Sequence, residues 1–111
     1  MCNVNVEIKN GLFVCLAICA ADGFISEEEE ESLYDKFNEN FGMEKIIFEE
    51  LVNLFFESQI EVEIYLDVIC SIELKNKLLI IAREAAAVDG FDITENIAWD
   101  KCKNYWRLAN V

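Results

Sequence analysis

The chain has 111 residues, of which 54% are hydrophobic and 12% aromatic, with no proline and four glycines. That length and apolar content suit one domain with its own core, residues 1–111, and the scarcity of turn formers excludes a sandwich or barrel of many short strands. A formal net charge of −13 makes a free nucleic acid a poor partner, because its phosphates meet a repelling surface. Cations and basic proteins suit it better.

The charge is uneven. Residues 1–73 carry 17 acids and 3 bases, whereas residues 74–111 carry 5 acids and 6 bases. Five cysteines, at 2, 15, 19, 70 and 102, include no Cys-x-x-Cys pair. An odd count without that spacing suggests neither a disulfide framework nor a zinc ribbon and points to a reducing compartment. The longest apolar run, Gly11 to Ala21, is too short to span a bilayer. Its continuation into Ala20-Ala21-Asp22 argues against a signal peptide.

Apolar spacing predicts about six helices. The first covers about 6–21, with Ile8, Leu12, Cys15, Leu16 and Cys19 on one stripe. Val14, Ala17 and Ile18 widen that stripe almost all round, which predicts a central helix. Gly11 inside it costs about 1 kcal/mol against alanine, so a close helix crossing is expected there. Asp22-Gly23 ends this helix. Ser26-Glu27-Glu28-Glu29 then reads as a capping box, in which the hydroxyl takes the amide of residue 29 and the Glu29 carboxylate reaches back. Leu33, Tyr34, Phe37 and Phe41 carry the second helix to Gly42.

The third helix, about 43–57, has Ile47, Leu51, Leu54 and Phe55 as its inward stripe, flanked by Ile46, Phe48 and Phe56. The fourth, about 60–70, directs Ile60, Ile64 and Val68 inward, with Leu66 and Ile69 as further inward candidates. Ser71 caps the fifth, about 72–88, whose narrow face is Leu78, Ile81, Ala82, Ala85 and Ala86. Asp89-Gly90 ends it. Thr94 is the expected cap of the sixth, about 95–109, with Asp92 an extra residue before that cap and Asn96 in the place of Glu29.

One stretch thus occurs twice. Ala20-Ala21-Asp22-Gly23-Phe24 returns as Ala87-Val88-Asp89-Gly90-Phe91, each copy following an apolar helix and preceding a hydroxyl residue and an acid. Glu28 and Glu95 each stand six positions after the aspartate. Duplicated helix-Asp-Gly-loop-helix units over nearly the whole chain resemble the TerB-like family, small helical domains named for bacterial tellurite-resistance clusters. The resemblance implies a compact all-α bundle and a cytoplasmic binding module of a bacterial stress-response or defence system. It also implies a divalent cation, Ca²⁺ or Mg²⁺ before Zn²⁺, held by Asp22, Glu28, Asp89 and Glu95. Carboxylate oxygens are the donors that hard cations prefer.

The residues allow other readings. Each aspartate can bond the backbone of its own loop and serve only to shape it. The run Glu27, Glu28, Glu29, Glu30 and Glu31 is either a solvated helix start or a recognition surface. In the second case Glu27, Glu29, Glu30 and Glu31 bind a basic protein partner, as a small acidic immunity protein binds a toxin or nuclease. Trp99, Tyr105, Trp106 and Arg107 form either a second partner patch or part of the core. An enzyme is the least favoured reading. The chain has no histidine, the usual base for a cysteine or serine nucleophile. Cys15, Cys19 and Cys70 lie in apolar stretches, where inert buried thiols are expected. Cys102, between Lys101 and Lys103, is activated only if exposed.

Overall fold

The computed structural model describes residues 4–90 and 92–108, apart from the side chain of Asp89. Six α-helices follow one another: α1 (Val4–Cys19), α2 (Glu27–Phe41), α3 (Lys45–Glu57), α4 (Val62–Val68), α5 (Ile72–Ala86) and α6 (Ile93–Tyr105). A single 3-10 turn, Ala87–Asp89, separates α5 from the second loop. Among the described residues there is no strand. The chain is an all-α bundle.

α1 is the axis of the bundle and packs against each of the other five helices. Its wide apolar surface is the cause. Leu12, Val14, Cys15, Leu16 and Ile18 are all fully buried, which no amphipathic surface helix achieves. Gly11 marks the crossing of α1 with α5. A Cβ there would lie 2.7 Å from Leu78 Cδ2 and 2.8 Å from Cδ1, so the hydrogen of glycine is what lets the two helices approach. α5 supplies the complementary face, with Leu78, Ile81, Ala82, Ala85 and Ala86 all buried as their spacing predicts.

Glu7 is a buried acid that the periodicity does not single out. Its Oε2 accepts from the Cys70 amide at 2.8 Å and the Ser71 amide at 3.4 Å. A carboxylate on α1 thereby satisfies the amides just before α5 and places negative charge at the positive end of that helix. Ser71 caps α5 as expected, its Oγ accepting from the Leu74 amide at 3.3 Å.

Two helices sit on different faces from those expected. In α3 the buried residues are Phe48 and Val52, while Ile47 and Leu54 are exposed. In α4 they are Tyr65 and Leu66, followed by Ile69, so the further candidates Leu66 and Ile69 face inward while Ile60 and Ile64 are exposed. Both segments are apolar on most sides, so periodicity leaves the choice to packing. The aromatic contacts decide it: Phe48 meets Tyr34 edge to face at 5.5 Å, and Tyr65 packs on Phe13 at 4.9 Å.

At the C-terminal end both tryptophans belong to the core. Trp99 Nε1 donates to the Leu79 carbonyl at 2.8 Å and Trp106 Nε1 to that of Leu66 at 2.9 Å. Arg83 and Lys103 cover the Trp99 ring from 5.0 and 5.6 Å. Tyr105 is exposed, and its hydroxyl donates to Asp67 at 2.6 Å. Cys15, Cys19 and Cys102 are buried free thiols. Cys70 departs from the expectation of an inert buried thiol: it is exposed and disulfide-bonded. No helix among the described residues is long and apolar enough to cross a membrane.

Candidate functional site

The two duplicated loops meet through the helices that follow them. Each loop turns on a glycine of positive φ, 107° at Gly23 and 100° at Gly90, a conformation that disfavours any residue with a Cβ. The chain then extends into a capping box. In the first unit Ser26 Oγ accepts from the Glu29 amide at 3.1 Å, and Glu29 Oε1 accepts from the Ser26 amide at 3.0 Å. In the second unit Asp92 Oδ1 accepts from the Glu95 amide at 2.8 Å, and Glu95 Oε1 accepts from the Asp92 amide at 3.2 Å.

The second cap is therefore Asp92 and not Thr94, and α6 begins at Ile93. An aspartate at this position is as good an N-cap as serine or threonine, and choosing it brings Glu95 to the reciprocal position. The counterpart of Glu95 is thus Glu29, and neither Glu28 nor Asn96 has the role expected of it. The second unit is one residue shorter than the first between Asp-Gly and cap.

α2 packs against the 3-10 turn that carries Asp89, and Glu29 and Glu95 come together. They are 4% and 3% exposed, two acids inside the protein. Burial, and then the neighbouring Glu29 carboxyl group, push the Glu95 carboxyl up to about 8. Glu29 Oε2 is buried without a hydrogen-bond donor. A carboxylate oxygen in that position is costly unless something else compensates it.

The residues expected as metal ligands are placed unevenly. Glu95 is at the meeting point of the two units. Asp22 and Glu28 are exposed. The side chain of Asp89 and the whole of Phe91 lie outside the described residues. Among the described residues no group of three or more histidine, cysteine, aspartate or glutamate side chains is arranged to hold a metal ion. The pair itself, Glu29 with Glu95, has the donor chemistry of a hard-cation site: carboxylate oxygens, one of them orphaned.

The acidic start of α2 divides in the same way. Glu29 is buried and cannot meet a partner, because its carboxylate is committed to its own cap. Glu27, Glu30 and Glu31 instead line a groove between α2 and α3, together with Glu49. Tyr34 and Phe48 also line it, and the Lys45 ammonium sits 5.5 Å over the Tyr34 ring. Cys102 is no nucleophile in waiting, since burial pushes its thiol up to about 12 despite Lys101. Cys15 is raised too, first by burial.

Compared with models of known protein families, with curated proteins and with solved structures, the chain matches none.

Proposed function

We propose that the chain is a non-enzymatic, TerB-like binding module of a bacterial stress-response or defence system, and that Glu29 and Glu95 together take a divalent cation. The observation that carries this reading is the orphaned, buried Oε2 of Glu29 beside a second buried carboxyl group. A cation there compensates the unpaired oxygen. Ca²⁺ and Mg²⁺ suit such oxygens better than Zn²⁺, and water and backbone carbonyls complete their coordination. A binding role is favoured over a catalytic one by the absence of histidine from the chain and by the raised, buried thiols of Cys15 and Cys102.

Calorimetric titration with Ca²⁺, Mg²⁺, Mn²⁺ and Zn²⁺ tests the cation. Heat is expected for at least one hard cation and is lost in Glu29→Gln and Glu95→Gln. If no cation gives heat or raises the melting temperature, the cation part is wrong.

The groove between α2 and α3 favours a second reading, an acidic immunity-type protein that binds a basic toxin or nuclease. Its glutamates surround an aromatic floor on which one cation, that of Lys45, already rests. In this reading Glu27→Lys with Glu31→Lys slows association with the basic partner, and added salt slows the native protein likewise. Unchanged rates in both experiments would remove it.

A further inference from the structure

α1 and α3 pack side by side, and the surface between them is an apolar groove away from both sites above. Two cavities of about 450 and about 280 Å³ meet at Lys9, which lines both and is the only base that does so. α3 walls the first with Ile47 and Leu51 and the second with Leu54, and Ile60 and Ile64 of the α3–α4 corner close the far end. Ile47, Leu54, Ile60 and Ile64 are between 42% and 57% exposed. These are the side chains whose spacing marks an apolar stripe, yet the core does not use them.

The wall has the dimensions of a helix seat. Residues 47, 51, 54 and 58 recur at the spacing of one helical face, and they span roughly 16 Å, or three turns. Two sockets along such a wall suit apolar anchors that a partner helix presents on successive turns. The rim specifies charge. Lys9 is the one base of the lining, Glu44 lines the first cavity with it, and α3 beyond Lys45 has no lysine or arginine. Glu50 and Glu57 follow the apolar line on its solvent side, and both are exposed.

We propose that this groove receives an amphipathic helix of a partner protein, with apolar anchors on one face and lysine or arginine on its flanks. The charge pattern selects this occupant over two others. In a symmetric pair of copies the same acidic rim would face itself, since a two-fold interface joins one patch to its own image. An anionic membrane surface would be repelled by the same rim. The proposal is independent of the cation reading, because it uses none of the residues of the Glu29–Glu95 pair.

Fluorescence anisotropy with a labelled synthetic helix of leucine and lysine, apolar on one face, tests it on the whole chain. The control is the same helix with glutamate for lysine. The basic helix is expected to bind and the acidic one not. Leu54→Asp and Ile60→Asp should each weaken binding by about tenfold or more. Ile93→Asp and Ile97→Asp, exposed positions of α6, should leave it unchanged. Circular dichroism establishes that each variant folds. The proposal is overturned if the basic helix does not bind, or if the acidic helix binds equally well. It is also overturned if binding survives both groove variants, or if sedimentation shows a dimer that Leu54→Asp dissociates.

Discussion

Glu29 and Glu95, 66 residues apart in the chain, close equivalent capping boxes and meet as a pair of buried carboxyl groups. The fold holds a proton on Glu95 that the unfolded chain releases more readily, so the contact between the two duplicated units depends on pH. The Glu95 carboxyl, ordinarily at 4.5, is raised to about 8 in the folded chain, with Glu29 and Asp92 as the neighbouring acids that act on it. The folded state therefore holds a proton that the unfolded state has already released. The stability contributed by that proton is fully present below about 4.5, falls as pH rises, and is gone above about 8. In the presence of a chelator, unfolding free energies from urea titration should decline across this window by up to about 1.4 kcal/mol per pH unit. Glu95→Gln should flatten the decline, and an equal slope in that variant would show that the pair does not hold the proton.

Because Asp92 caps α6, removing it should cost more than removing Thr94. Asp92→Ala loses the bond to the Glu95 amide and should destabilise the chain by about 1 kcal/mol. Thr94 is exposed inside the first turn, and Thr94→Ala should fall within about 0.5 kcal/mol of the native protein. Denaturation of the two variants side by side decides which residue is the cap. The reverse order would return Thr94 to that role.

Gly11→Ala sets helix propensity against packing. Alanine gains about 1 kcal/mol in a helix interior, but its methyl group would enter the space of the fully buried Leu78. Overpacking of this kind costs about 1–3 kcal/mol, so a net loss of stability is expected. Leu78→Val in the same chain should recover part of it, and a double-mutant cycle measures that coupling. Simple additivity of the two changes would mean that the crossing of α1 and α5 is not the constraint on residue 11.

Cys15, Cys19 and Cys102 are buried, and burial holds the Cys102 thiol up to about 12. At neutral pH almost none of it is thiolate, the reactive form. Labelling of these three thiols by a thiol-disulfide reagent should be slow in the folded chain and fast in denaturant. Rapid labelling of Cys102 in native buffer would restore it as a candidate nucleophile.

Local chemistry and its limits explain which features were legible from residues alone. Ser26 with Glu29 is a capping box within four consecutive residues, so the amino-acid order suffices to find it. The buried faces of α1 and α5 are set by unbroken apolar spacing, and Gly11 announces its crossing because glycine inside a helix has a cost. Where two residues offered the same local chemistry, only packing chose. Thr94 and Asp92 are both good cap residues, but only Asp92 has an acid three positions on, Glu95, where Thr94 has Ile97. The faces of α3 and α4 were likewise undetermined, because both segments are apolar nearly all round and the rings of Tyr34 and Phe13 fix their rotation.

The sequence by itself thus determined an all-α chain of six helices, a central α1, two duplicated Asp-Gly loops and the first of the two caps, since each of these is written in the spacing of residues close in the chain. Only the tertiary structure decided that Glu29, and not Glu28, is the partner of Glu95. The reason is physical. One helical residue differs from the next by about 100° of rotation, enough to turn a carboxylate from solvent into the core. Which of the two faces inward follows from where α2 starts, at the Ser26 cap.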